Sequence, residues 1–165
     1  MEIKNPMEVL WYLDAISSIK ELHDIIRNLE VLISNNSGKA CYVLSVLYSP
    51  SAALQEELKQ LLPVSEERSV ELSIQAFSLL MLEAEAGDGE SMYLVAIYYK
   101  IGFPPILIDN KKYLEWCEKA FHAGYIYAAN DLHQIYSDVS LPFFNKELSY
   151  LYKNVLHKIN VVPEQ

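Results

Sequence analysis

The thirteen residues Lys112–Gly124, KYLEWCEKAFHAG, put a cysteine, a histidine, two carboxylates and a tryptophan in one short run. They describe either a reactive cluster or a packed helix that ends at a glycine. Helical geometry separates the two readings. Cys117 and His122 lie five positions apart, roughly 500° of rotation and so about 140° around the axis. They face different sides and cannot pair as thiolate and imidazolium within that helix. Glu115 and Lys119 form an i,i+4 pair in the favourable order, common on solvated helix faces. The stretch reads as architecture.

It also has copies. Gln75–Gly87, QAFSLLMLEAEAG, superimposes on it with an offset of 37, and Lys146–Leu156, KELSYLYKNVL, fits the same frame with Tyr150 in the place of Trp116. The helices before these repeat as well. Gly87 is followed at +4, +8 and +12 by Ser91, Val95 and Tyr99, Gly124 by Ala128, Leu132 and Tyr136, and Asn36 by Ala40, Leu44 and Tyr48. Steps of four set a small residue, an aliphatic and an aromatic along one stripe of a helix. Tyr48, Tyr99, Tyr136 and Tyr150 are therefore framework positions, whereas Tyr93, Tyr98, Tyr125 and Tyr127 fall on or beside first helices outside the framework.

Helical spacing runs almost throughout, and no segment alternates as a strand does. A first helix is expected from Pro6 and a second to about Leu32; Ser34–Gly38 breaks the pattern. Further helices are expected over about 39–48, about 52–62 with a stop before Pro63, and from Ser65 to about Ala86. Asp88 opens another that ends near Gly102, Phe103-Pro104-Pro105 forms a loop, and segments follow at about 110–123, 125–137 and 142–159. At 165 residues this reads as one domain: an N-terminal helical cap (1–35), a degenerate repeat with an inserted helix (36–86), a clear repeat (87–123) and a partial one (124–158).

The net charge of −9 is uneven. Residues 51–91 hold nine acids against Lys59 and Arg68, which is −7 in a quarter of the chain. Such acidity excludes direct nucleic-acid binding, which needs clustered Lys and Arg. It is either a solvated face or a surface that attracts a basic partner. The N-terminus lacks the basic start and unbroken apolar run of a secretion signal, and no stretch approaches a membrane span. A cytoplasmic protein with no membrane association is expected. Cys41 and Cys117 lack metal-type neighbours; a disulfide is possible in principle, but in a reducing compartment both are small buried hydrophobes. His23, His133 and His157 belong to no metal spacing, and no phosphate loop or nucleophile motif occurs. No enzyme activity, catalytic residue, cofactor or metal is expected.

The pattern resembles the Sel-like repeat, a relative of the tetratricopeptide repeat. Asp109 takes its loop position, Trp116 its tryptophan, and Ala120, Phe121 and Gly124 its close. The likeness is good over 84–136, fair over 137–158 and weak over 36–87, and residues 1–35 do not match. It implies an all-α, short right-handed superhelix of antiparallel helix pairs, an α-solenoid, whose members mostly bind proteins without catalytic residues of their own. First helices line the concave face of such arrays. A small acidic protein of this kind also looks like bacterial immunity proteins, which block a cognate toxin that is often a basic nuclease. The expected contact residues are Glu56, Glu57, Glu66, Glu67, Glu71, Glu85, Asp88, Glu90, Tyr93 and Tyr98, and the partner is a basic toxin domain whose active site is occluded. The alternative is an adaptor or regulator of an endogenous protein.

Overall fold

The computed structural model describes residues 3–60, 62, 64–103 and 106–160, with the backbone alone at 159–160. Pro63 and the Pro104–Pro105 pair, expected to stop a helix and to shape a loop, lie outside these. Among the described residues all regular structure is helical. Two 3-10 segments, Pro6–Trp11 and Leu13–Ala15, precede α1 (Ile19–Ser34), α2 (Gly38–Tyr48), α3 (Glu56–Lys59), α4 (Glu66–Glu85), α5 (Gly89–Ile101), α6 (Asn110–His122), α7 (Ala128–Ser137) and α8 (Lys146–Asn160). They gather into two compact units that divide between Glu83 and Ala84.

The first unit has an aliphatic core. Leu22, Ile25 and Leu29 of α1 meet Ala40, Val43, Leu44 and Leu47 of α2, with Val9, Ile16, Leu72 and Ala76 around them, all buried. The start of α1 is fixed by Ser18, whose Oγ accepts the Glu21 N–H at 3.2 Å while Glu21 reaches back to the Ser17 N–H. Gly38 opens α2 where a side chain has no room, because a Cβ there would lie 2.6 Å from the backbone N of Leu80. The expected first helix is instead a six-residue 3-10 segment with Pro6 at its start and Asn5 as its cap. The expected 52–62 helix shrinks to a single turn over 56–59. Ala52, Leu54 and Leu58 are all buried, and residues two apart sit roughly 200° apart on a helix. An irregular chain lets 52 and 54 both reach the core.

The second unit is built of successive hairpins, α5 on α6, α6 on α7 and α7 on α8. The backbone supports the repeat read from the sequence. Asn36, Gly87 and Gly124, the three residues that open the framework, all have positive φ, at 63°, 99° and 93°. Glycine adopts that conformation freely and Asn is the side-chain-bearing residue that most tolerates it. At +4, Ala40, Ser91 and Ala128 are fully buried, and at +8 Leu44, Val95 and Leu132 nearly so.

The third copy of the partner helix needs a correction. Tyr150 is 66% exposed and does not take the place of the half-buried Trp116. The packed residues of α6, Tyr113, Leu114, Cys117, Ala120 and Phe121, correspond to Leu148, Ser149, Tyr152, Val155 and Leu156 of α8. The offset is therefore 35, one more than the alignment of aromatics suggested, and Tyr152 stands where Cys117 stands. Two tyrosines at 150 and 152 flank the right register, and only burial tells which one packs.

Candidate functional site

The opening stretch behaves as framework. Cys117 and Ala120 are fully buried, Trp116 is half-buried under the Lys119 ammonium (4.1 Å from the ring centroid), and His122 is exposed. Cys41 and Cys117 are both free and buried, in different units. Burial pushes the Cys41 thiol up to about 11, and its S–H points at the Leu72 carbonyl 3.2 Å away. Burial also raises the Cys117 thiol. Neither forms a thiolate near neutral pH, so neither is a nucleophile. Among the described residues no group of His, Cys, Asp and Glu gathers as a metal site, and no helix is long and apolar enough to cross a membrane.

One buried charge stands out in the second unit. Asp131 of α7 is 4% exposed and sits seven residues after Gly124. The same place in the other two copies is Val43 and Leu94. Its carboxylate accepts from Tyr93 Oη at 2.6 Å, from Lys100 Nζ at 2.7 Å and from Tyr113 Oη. Tyr93 and Lys100 come from α5 and Tyr113 from α6, so one carboxylate ties three helices together. Burial pushes the Asp131 carboxyl upward, but the hydrogen bonds from Lys100, Tyr113 and Tyr93 outweigh it and its acidity ends stronger than usual. Burial and the bond to Asp131 raise both tyrosine hydroxyls, which stay protonated as donors. Oδ1 accepts from Lys100 and Tyr113 and Oδ2 from Tyr93, so both carboxylate oxygens are engaged. The arrangement is a fastening.

From Tyr93 an aromatic run leads outward. Its ring lies 5.1 Å from Tyr125, and Tyr125 lies 5.5 Å edge-on from Tyr127. Tyr127 is 65% exposed and Ile126 41%, both in the turn that leads into α7. Burial, and then the charge of Glu90, push the Tyr125 hydroxyl up to about 12. Gly89 packs against Tyr125, where a Cβ would lie 3.1 Å from the Tyr125 Cβ, so its neighbour Glu90 stands near this corner. The sequence hint was weak: position 125 holds Tyr where Ser37 and Asp88 stand in the other copies, and those two cap their helices through Ala40 N and Ser91 N. With no cap, α7 begins only at Ala128 and leaves 125–127 as a projecting turn.

The expected contact residues divide. Glu56, Glu57, Glu66, Glu67 and Glu71 are exposed in the first unit, with Glu56 paired to Lys59 and Glu71 to Arg68. Along α4, Glu67, Glu71, Ile74, Ser78 and Leu82 form one exposed stripe. Glu85 is exposed in the second unit, and Asp88 and Glu90 are half-buried there. Asp88 is engaged as the α5 N-cap, 2.7 Å from the Ser91 N–H. Tyr93 is half-buried with its hydroxyl on Asp131, so only its ring flank serves a surface. Tyr98 is 1% exposed and offers no contact, a correction whose reason is register. It occupies the inward place that Leu47 and Ile135 fill in the other copies.

No family model matches the chain, and no curated protein matches it. Among solved structures it is similar to the crystal structure of a Sel1 repeat protein from Oxalobacter formigenes, at 15% identity and a TM-score of 0.48, over 93% of this chain and 72% of that one. The hairpins described above define this protein as a helical-repeat protein.

Proposed function

We propose that this protein is a non-catalytic binding module for a basic protein. The observation that carries the reading is the corner Tyr125–Ile126–Tyr127. It exposes Ile126 and Tyr127, and the Tyr127 ring packs edge-on against Tyr125, which in turn lies against Tyr93. Aromatic anchors held in place lose little entropy on binding and serve as interface hot spots. Glu90 beside them and the exposed acids of α3 and α4 supply attraction for a cationic partner.

The narrower form of the proposal is an immunity role, in which the acidic surface steers a basic toxin domain and the aromatic corner holds it over its active-site cleft. The charge distribution, −7 of −9 over residues 51–91, supports that form. This form requires a toxin gene beside this one; the test is to look for it and to measure binding kinetics with its product, together with growth rescue on co-expression. Reversal of Glu66, Glu67 and Glu71 to Lys is expected to slow association about tenfold at low salt, with little effect at high salt. Tyr127→Ala is expected to speed dissociation. Unchanged association removes the acidic surface, and unchanged dissociation removes the corner. A bound partner with no toxicity of its own leaves the module as an adaptor or regulator.

A further inference from the structure

α7 seats on a surface made by α5 and α6. There Asp131 meets Tyr93, Lys100 and Tyr113, and the Tyr136 hydroxyl donates to Glu118. Ala96 and Leu114 are buried in the same core. The register established above, 37 for first helices and 35 for second helices, locates the same surface one hairpin later. Ala96 becomes His133, Leu114 becomes Ser149 and Glu118 becomes Lys153. These three line one groove of about 550 Å³, together with Lys146, Glu147 and Tyr150. The groove thus lies over three places equivalent to Ala96, Leu114 and Glu118, whereas Tyr93, Lys100 and Tyr113, which hold Asp131, have Asn130, Ser137 and Leu148 in their stead.

Its chemistry is altered. The carboxylate that receives a tyrosine hydroxyl in the first seat is an ammonium group in the second, and Lys146 adds another cation against the single acid Glu147. His133 is fixed at one wall, with Nδ1 3.0 Å from both the hydroxyl and the carbonyl oxygen of Ser149. Tyr150, 66% exposed, gives an aromatic rim. Over Lys146–Lys158 the chain carries three lysines and one glutamate, whereas the whole chain is −9. A seat shaped for a helix and lined with cations selects a helix that brings an anion.

We propose that the α7–α8 groove docks an amphipathic helix of a partner protein, lying as α7 lies on α5 and α6 and presenting a carboxylate to Lys153 and Lys146. This goes beyond the aromatic-corner reading and stands without it. The probe is a synthetic peptide of residues 125–138 with Asp131→Leu, as at Leu94, and Tyr136→Glu to face Lys153. A cross-link between the solvent-facing positions 130 and 134 holds it helical. Titrated into the full-length isotope-labelled chain, it is expected to shift the amide signals of His133, Ser149 and Lys153 saturably. Lys153→Glu is expected to weaken it about tenfold, and to favour instead a peptide that keeps Tyr136, because that restores the Glu118–Tyr136 pairing. Circular dichroism of the variant checks its fold. Shifts elsewhere, no saturation, or an affinity indifferent to Lys153→Glu overturns the proposal. So does a chain that dimerises alone and loses the dimer with Lys153→Glu, since the occupant is then a second copy.

Discussion

One repeat position is filled in two ways. At Val43 in the first unit and Leu94 in the second it is a buried aliphatic; at Asp131 it is a buried carboxylate. Val43 is buried in one cluster with Leu22, Ile25, Leu29 and Leu47, all aliphatic. Around Asp131 stand two hydroxyls and an ammonium. The fold accepts either solution only with its matching surroundings. An aliphatic seat fails by leaving a cavity or by receiving an unpaired charge, and a polar seat fails by losing one partner of a set.

The harshest way to break the comparison is to exchange the solutions. Val43→Asp is expected to unfold the first unit, or to cost upwards of about 4 kcal/mol in urea titration, because it buries a carboxylate in an aliphatic cluster. Asp131→Ala comes next, at about 3 kcal/mol, since it takes the acceptor from the buried Tyr113 hydroxyl and the half-buried Tyr93 hydroxyl; Lys100, 42% exposed at its side chain, escapes to water. Combining Asp131→Leu with Tyr93→Phe and Tyr113→Phe is expected to recover most of that loss, turning the polar seat into the Leu94 kind. Leu47→Ala, in the aliphatic core, is expected to cost about 2–5 kcal/mol whatever the pH.

Acid sharpens the contrast. The Asp131 pKa is lowered from 3.8 in the folded protein, so its contribution is fully present above that value and is lost as pH falls through the lower folded pKa. Wild type is therefore expected to lose stability more steeply below about pH 4 than the Leu–Phe–Phe variant, as read by urea midpoints across pH. The smallest effect is at the surface: Tyr127→Ala is expected to shift stability by no more than about 0.5 kcal/mol, because the side chain is 65% exposed.

Helical class, the repeat and most helix positions were legible because periodicity and the Gly/Asn punctuation are local properties. Asn36 shows how far this reaches: its spacing to Ala40, Leu44 and Tyr48 marked it as equivalent to Gly87 and Gly124, and its φ of 63° agrees. The site was less legible. Tyr98 reads as a surface anchor by its place on a first helix, although alignment with Leu47 and Ile135 marks it as inward. Tyr150 and Tyr152 could not be told apart, since a one-residue slip on a helix conserves composition while moving every side chain about 100°.

By itself the sequence determined the helical class, most helix positions and the framework stripe, which follow from interactions within a few residues. Tertiary structure decided the rest. It made Asp131 a fastening and not a surface charge, because its three donors come from residues 31 and 38 positions before it and 18 before it. It left Tyr127 and Ile126 outside, because an uncapped α7 starts late. It also set His133, Ser149 and Lys153, which stand at the places of Ala96, Leu114 and Glu118, around one groove. Each of these depends on which distant side chains meet, and no local pattern encodes that.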